Sequence, residues 1–471
     1  MRSQKSPTLP PSKGFVLGLQ PALPWTAILV FSLLSALFIL AGAGIILNLT
    51  FPVGAFAVAV LLYFRAPILY HGFVWWMWFL TPFVRRLADW KSGFTDPSPI
   101  LLAPYFVTFV ALITLWQNLP KVRRQGGLPF ILSFSSLFYG LCVGLIYRKP
   151  IPVCIAFLDW LVPVLLGFHI FAHWRDYPSY RKNIQRVFLW GVLVMGVYGT
   201  IQFLVAPEWD RFWLIKTGFS SGGKPEPLQL NVWSTMASNR PFGTVMMAGL
   251  LLLMINPNKG SLGPPTTAFG YLAFLLTRKR TTWMSWLLGL LILTSSLKAK
   301  TQMRVIIALS LTILLVIPLT TIEPFATSIG SRFGTLSNLE EDNSANARQE
   351  TFNNTIDEAL TSFLGSGIGG PSFDSGILSM LLDLGWLGSL FYLSGLLGLL
   401  SRVVQMPLKS ADPFPSAARA IAFATFIQIP LGRPHVEVQG TVLWGFLGLA
   451  LASHKYYQNQ VKVLNNSGYN S

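Results

Sequence analysis

The side chains best suited to chemistry in this chain are basic residues that stand at the ends of long apolar runs. Arg240 opens one such run, and three consecutive basic residues interrupt another at 278–280. A guanidinium stays charged and binds phosphate oxygens two at a time, so several of them at one site would suit a diphosphate. Taken singly, each has an alternative role as a headgroup anchor or as the partner of an acid. The set comprises Arg240, Arg278, Lys279, Arg280, Arg332, Arg348 and Arg433.

Acids and one histidine near these residues supply candidate proton acceptors. Asp374 is the last acid before an apolar run that starts at 376. It is placed either to act as a general base toward a hydroxyl group or to cap the following helix. Asp383 lies within that run, where it either pairs with an arginine or has a structural role. His435 is a secondary candidate, and no residues have the spacing of a metal site.

The elements that position these residues follow from the composition. Hydrophobic residues make up 52% of the 471 residues and charged residues 11%, whereas soluble domains usually carry about 25% charged residues. So few polar residues are not enough to cover the surface of a water-soluble protein, which excludes a soluble enzyme. The same composition excludes a disordered chain and a disulfide scaffold. The formal net charge of +17 is typical of basic residues at membrane interfaces, and we expect no nucleic-acid partner.

Long apolar runs predict an all-α polytopic membrane protein with about 12–14 transmembrane helices and one large extracytoplasmic loop. The runs do not alternate as the strands of a membrane barrel would. Several are shorter than ~17 residues and require a thinner bilayer or burial inside the bundle. The candidate spans are 26–48, 51–64, 67–84, 100–116, 128–147, 151–172, 186–204, 241–256, 266–277, 282–297, 304–322, 376–399, 415–430 and 437–453.

These spans define one transmembrane domain at 26–453, between predicted cytoplasmic tails at 1–25 and 454–471. With the N-terminus inside, the loops 205–240 and 323–375 follow odd-numbered spans and lie outside. Eleven of the 18 acids, Asp210 and Asp374 among them, fall in these two loops. The sequence therefore predicts a polar surface on the outer side.

The second loop is predicted to be partly folded. Apolar residues recur there at helical spacing, which indicates an amphipathic helix that begins near Ser344 and lies on the outer membrane face or caps the bundle. Glycines at 365–370 match a dinucleotide-binding pattern by letter, but no strand precedes them, so we predict a tight turn where the loop re-enters the bundle. The apolar face of the helix comprises Phe352, Ile356, Leu360 and Phe363.

Five short motifs in the C-terminal half occur in the same order, and on the same predicted side of the membrane, as the motifs of one known family. They are Arg240-Pro-Phe-Gly before a span, Leu276-Thr-Arg-Lys-Arg-Thr-Thr-Trp between two spans, Ala345-Asn-Ala-Arg348 in the large loop, Leu364-Gly-Ser-Gly-Ile-Gly after it, and the segment Leu378–Gly388 with Asp383 and Gly385-Trp-Leu-Gly. In that order the chain resembles the superfamily of O-antigen ligases and O-antigen polymerases, from about residue 236 to 395. The N-terminal spans match it only in being hydrophobic.

The resemblance implies a glycosyltransferase of the bacterial inner membrane that works at the outer face without a metal or other cofactor. Its donor would be a glycan linked to undecaprenyl diphosphate and its acceptor a second glycan, in O-antigen or exopolysaccharide synthesis. Membrane lipid and proteins of polysaccharide export or chain-length control are the further partners implied. Carried onto this chain, the diphosphate contacts are Arg240, Arg280, Arg332 and Arg348, and the catalytic residues are Arg348 and Asp374.

Two departures from the family pattern affect the choice within the superfamily. Lys279 replaces the serine of the family's Leu-Thr-x-Ser motif, and Asp374-Ser375 stand where ligases carry His-Asn. An acid still accepts a proton. Loss of the histidine therefore fits polymerase-like or exopolysaccharide members better than ligases.

Two other classes remain open. A membrane transporter of a small anion, such as inorganic carbon, would use the arginines as a vestibule and would need a site near the membrane midplane, for which Asp159 is a candidate. A non-catalytic assembly subunit would tolerate single changes of the arginines.

Overall fold

The computed structural model describes residues 21–122, 125–255, 260–319, 343–371, 373–407 and 412–467, together with 322–323 and 325–326. The N-terminal half forms a bundle of helices that reverse direction through short turns. The helices in this half are α1 (Ala22–Leu40), α2 (Gly44–Arg65), α3 (Pro67–Ser92), α4 (Ala103–Phe109), α5 (Leu112–Asn118), α6 (Leu128–Tyr147), α7 (Pro150–Ala172), α8 (Tyr177–Val205) and α9 (Glu208–Thr217).

The C-terminal half continues the same bundle, and two of its helices pack back onto the first half. The last helix lies along α7, and the long helix that begins at Gly376 lies along α6. The helices in this half are α10 (Asn239–Ile255), α11 (Gly263–Leu275), α12 (Arg280–Ser295), α13 (Ala299–Leu319), α14 (Asn343–Thr361), α15 (Gly376–Val404), α16 (Phe414–Phe426) and α17 (Glu437–Ser467).

Length and apolarity make this bundle a membrane domain. Within the described residues, eight helical segments are long and apolar enough to cross a bilayer. The chain is thus an all-α polytopic membrane protein, as the composition predicted. The eight segments are Ala22–Leu40, Gly44–Arg65, Pro99–Lys121, Leu128–Tyr147, Pro150–Ala172, Trp174–Val205, Gly376–Val404 and Phe414–Leu431.

The predicted bounds differ from the structure at both ends of the chain. The first two spans were expected at 26–48 and 51–64, but the chain turns at 41–43, where Gly42 has φ +68°. Pro52 lies inside α2 and does not separate two helices. The last helix continues past the expected end at 453 to Ser467, and beyond 453 it still contacts the bundle, where the Tyr457 hydroxyl donates to Asp412 at 2.9 Å.

Glycines allow the last helix to contact the first half closely. A Cβ atom on Gly448 would lie 2.5 Å from the carbonyl oxygen of Gly167, and one on Gly167 would lie 2.6 Å from the carbonyl oxygen of Trp444. Small residues at such contacts are typical of helix packing in membranes. Replacing either glycine by a larger residue would force α7 and α17 apart and displace the first residues of α17.

Helix α15 is broken in its first third, at Gly385, where φ is +64° and ψ is −177°. The segment 362–370 fills the break: the amide of Ser366 donates to the carbonyl of Leu382 at 2.8 Å, and the amide of Trp386 donates to that of Ser362 at 3.3 Å. These bonds satisfy backbone groups that lipid would leave unpaired. The re-entrant turn predicted at 365–370 is confirmed.

The predicted helix in the second loop is present as α14. Ile356 and Ala359 pack against Leu378 and Leu382 of α15. Phe352, Leu360 and Phe363 are exposed. The helix therefore rests on the start of α15 with only part of its apolar face.

Candidate functional site

A cavity of about 1080 Å³ opens at one end of the bundle, among the ends of several helices. Its walls come from the loop before α10, the first residues of α10, α12 and α17, Asp374 two residues before α15, and the turn after α16. Because helix ends carry polar backbone groups and interfacial side chains, such a junction is a natural place for a polar site in a membrane protein.

The cavity collects basic residues that are far apart in the sequence. Arg240 comes from the start of α10, and Arg433 from the turn before α17. The third source is the stretch Arg278–Arg280, which precedes and begins α12. The sequence predicted that these residues share one end of the molecule, and the structure brings Arg240, Arg280 and Asp374 to the walls of one cavity.

Arg240 and Asp374 form a loose ion pair in the cavity. Nη1 of Arg240 lies 3.4 Å from Oδ1 of Asp374, and the two side chains are 20% and 64% exposed. Asp374 is not the cap of α15, because the Ser375 hydroxyl accepts the amide of Leu378 instead. Ser375 thus takes the capping role that the sequence left open for Asp374. The carboxylate of Asp374 faces Arg240 instead.

A layer of hydrogen-bonded side chains lies behind Arg240. The Thr244 hydroxyl donates to the Arg240 carbonyl at 3.2 Å, and Gln439 Nε2 donates to the Thr244 hydroxyl at 2.9 Å. Gln428 also contacts this hydroxyl, at 3.3 Å. These bonds join the first turn of α10, which carries Arg240, to α17 and to the turn after α16.

The turn that carries the second basic group is fixed by the loop before α10. The amide of Val232 donates to the carbonyl of Leu276 at 2.9 Å, and the Thr277 hydroxyl donates to the carbonyl of Phe274 at 2.7 Å. Arg278 has φ +51°, in the left-handed region that few non-glycine residues occupy. Strained residues of this kind cluster at functional sites.

Glu437 is a cavity residue that sequence reasoning missed. It is the first residue of α17, it is exposed, and it has φ +52°. Arg433 and Asp159 lie close enough to it to interact electrostatically. The signal was present in the sequence, because Glu437 stands at the start of a predicted span just as Arg240 does, four residues after Arg433.

Two other candidates lie behind the cavity. His435 is fully buried, its ring lies 4.4 Å from that of Trp160, and it does not line the cavity. Asp383 is 6% exposed and stands next to the helix break at Gly385, within electrostatic reach of Arg433 and Arg148. Neither arginine forms an ion pair with Asp383 among the described residues, and its pairing role remains a prediction.

The remaining candidates lie in the second loop or inside the bundle. Arg332 lies outside the described residues. Arg348 belongs to α14, but its side chain also lies outside the described set. Asp159 is half-buried in α7 and lies near the Tyr105 hydroxyl. In the part of the chain that the structure describes, no three His, Cys, Asp or Glu residues are grouped as metal ligands.

A second Arg–Asp pair makes Asp210 an exception to the expected polar surface of loop acids, since the other loop acids whose exposure is described are exposed. Asp210 is fully buried, and its Oδ1 lies 2.5 Å from Nη1 of Arg86 on α3. The Tyr198 hydroxyl donates to its other oxygen at 2.6 Å, and Arg86 also donates to the carbonyl of Ser234. A buried charge must be paired, so this acid anchors the loop to the bundle instead of facing water.

The fold and the cavity together define a polytopic membrane protein with a basic, partly acidic polar site at one end of its bundle. No protein-family model matches the chain, and no curated protein is significantly similar to it in sequence.

Proposed function

We propose that this protein is a membrane glycosyltransferase that takes its glycan from a lipid-diphosphate donor, undecaprenyl diphosphate in a bacterial inner membrane. The observation that carries the proposal is the cavity at the end of the bundle, where Arg240 and Arg280 share walls with Asp374. Several guanidiniums around one polar space suit a diphosphate, since each binds two phosphate oxygens at once. The motif resemblance to O-antigen ligases and polymerases names the same residues.

The loose pair of Arg240 and Asp374 supports this chemistry. A diphosphate carries more charge than one carboxylate and offers more oxygens to a guanidinium, so it would displace Asp374 from Arg240. The negative charge that develops on the leaving lipid diphosphate is then stabilised by fixed cations. Arg280, at the start of α12, supplies a second cation from another wall of the cavity. Arg332 and Arg348 of the second loop are proposed to complete the contacts with the diphosphate.

In the reaction, the oxygen of an acceptor hydroxyl forms a bond to the anomeric carbon of the donor sugar. The bond from that carbon to the diphosphate oxygen breaks, and the lipid diphosphate leaves with the electron pair. The hydroxyl proton passes to a carboxylate of the cavity, for which the sequence named Asp374. Attack from the side opposite the leaving group inverts the anomeric centre.

The proposed arrangement places the cavity at the outer face of the membrane. With 12–14 spans and both termini in the cytoplasm, the loops 205–240 and 323–375 are extracytoplasmic, and the second holds the growing glycan. The product is O-antigen or exopolysaccharide, and the partners are the lipid-linked donor, the acceptor glycan, and proteins of export or chain-length control. Loss of the ligase histidine favours a polymerase.

The test is glycan transfer by the purified protein in liposomes, with a mixed pool of lipid-diphosphate oligosaccharides from bacterial membranes as donor. A ladder of longer lipid-linked glycans identifies a polymerase, and a single transfer to a different acceptor identifies a ligase. Arg240→Ala should lower the rate of either transfer about 10²–10³-fold. Arg211→Ala is the matched control, because Arg211 is exposed on α9 and does not line the cavity. Absence of transfer by the wild type with its native donor would refute the proposal.

One observation favours transport of a small anion as a second candidate. Asp159 and Asp383 lie in helices of the bundle, and both are within electrostatic reach of Arg433, which links them to the cavity. A transporter needs such a polar path toward the midplane. Bicarbonate flux into liposomes that is lost in Asp159→Asn, without any glycan transfer, would select this candidate.

A further inference from the structure

The cavity presents two carboxylates, and they are held in different ways. Oδ1 of Asp374 accepts a hydrogen bond from Nη1 of Arg240 at 3.4 Å, so this carboxylate already has a cation bound to it. Glu437 forms no ion pair with any basic residue that the structure describes. Glu437 therefore lines the cavity without a hydrogen-bonded cation from the described residues, whereas the carboxylate of Asp374 has one.

The backbone of Glu437 is a second indication. A residue with φ +52° at the start of a helix favours glycine, yet the chain has a glutamate there. Arg278, with φ +51°, shows the same feature on another wall of the same cavity. A strained backbone that keeps a charged side chain in a polar cavity indicates a functional requirement for that side chain.

The position of Glu437 relative to the proposed diphosphate site follows from the turn before it. A Cβ atom on Gly432 would lie 3.2 Å from Nη1 of Arg240, and one on Gly376 would lie 2.7 Å from the carbonyl oxygen of Gly432. The turn thus packs between Arg240 and the start of α15, and Glu437 directly follows it. A sugar joined to a diphosphate on Arg240 would lie within the cavity that Glu437 lines.

We infer that Glu437, and not Asp374, accepts the proton of the acceptor hydroxyl, an inference that rests on the proposed transferase function. The hydroxyl oxygen bonds to the anomeric carbon, its proton moves to the Glu437 carboxylate, and the lipid diphosphate departs with the electrons of the broken bond. Asp374 holds Arg240 in place until the diphosphate of the donor replaces it. Proton transfer to a positioned side chain contributes about 10²–10⁴-fold to such reactions.

The experiment compares Glu437→Gln, Asp374→Asn and Glu208→Gln by glycan transfer in liposomes and by calorimetric binding of inorganic pyrophosphate. Glu208 is an exposed acid of α9 outside the cavity and serves as the matched control. We expect Glu437→Gln to lose about 100-fold or more in transfer rate with pyrophosphate binding unchanged, and Asp374→Asn to lose less than about 10-fold. Glu208→Gln should match the wild type.

A second variant separates loss of the carboxylate from loss of folding. Glu437→Ala should bind pyrophosphate like the wild type, and added formate, a small carboxylate, should restore part of its transfer rate. Transfer by Glu437→Gln within about threefold of the wild type would overturn the inference while leaving the transferase intact. A large loss in Asp374→Asn would then return the proton to Asp374. A wild type that binds no pyrophosphate and transfers no glycan would overturn the proposed function and this inference together.

Discussion

Two Arg–Asp pairs in this molecule have the same chemistry and opposite surroundings. Arg86 and Asp210 lie 2.5 Å apart with side chains that are 1% and 0% exposed. Arg240 and Asp374 lie 3.4 Å apart and are 20% and 64% exposed. The first pair is closed on all sides by protein, whereas the second faces a cavity. A buried pair fixes a loop to the bundle, and an open pair is able to exchange one partner for a ligand.

The largest expected effect comes from breaking the buried pair. Asp210→Ala leaves the Arg86 guanidinium buried without its carboxylate, which typically costs about 3–5 kcal/mol. We expect a large drop in thermal stability of the purified protein in detergent. The control is Glu208→Ala, two residues earlier on α9 and exposed, which should change stability little. Equal melting temperatures for the two variants would show that the buried pair does not hold the loop.

The next effect concerns the open pair and appears in activity. Arg240→Ala removes a cation that we expect to stabilise the leaving diphosphate, so glycan transfer should fall about 10²–10³-fold. Its thermal stability should stay near that of the wild type, since exposed ion pairs contribute little. If Arg240→Ala lost as much stability as Asp210→Ala, Arg240 would have a structural role like that of Arg86, and the two pairs would not differ in function.

A smaller effect is expected at Glu437, the strained residue that lines the same cavity as the open pair. Glu437→Gly removes the side chain where φ is +52°. A non-glycine residue pays about 1–2 kcal/mol in that conformation, so the glycine variant should be more stable by about 1 kcal/mol, and it should also be inactive in transfer. Glu437→Gln keeps the strain and should keep the wild-type melting temperature. A destabilised glycine variant would mean that the carboxylate serves the fold.

The smallest effect is that of Asp374→Asn. Because the pair with Arg240 is loose and exposed, its loss should change stability by less than about 1 kcal/mol. Removing the negative charge should also make pyrophosphate bind more tightly, since the anion no longer competes with a carboxylate for Arg240. Titration calorimetry of both proteins measures this, and weaker binding by the variant would argue that Asp374 does not compete for the arginine.

The two pairs also differ in how far they could be predicted from the sequence. Composition and apolar runs were sufficient for the membrane fold, because lipid leaves helices as the only solution for such runs. The rule that charges beside spans are functional candidates led to Arg240, Arg280 and Asp374, which the structure brings to one cavity.

Long-range pairing and backbone conformation were beyond the sequence. Asp210 was taken for a surface acid because its partner Arg86 lies 124 residues away, and no local pattern joins them. The strained φ of Glu437 is a tertiary feature that no sequence pattern shows, although its place at the start of a predicted span was visible. The first turn was expected at 49–50, between the two predicted spans, whereas the chain turns at 41–43 and Pro52 is accommodated within α2.

Binding of inorganic pyrophosphate tests most directly the proposal that the open pair forms a diphosphate site. Affinity would be measured by titration calorimetry for the wild type, Arg240→Ala and the control Arg211→Ala. A charge-assisted bond is worth about 1.5–3 kcal/mol, so the account predicts about a 10- to 100-fold loss of affinity in Arg240→Ala and none in Arg211→Ala. Equal affinities in all three proteins would contradict it.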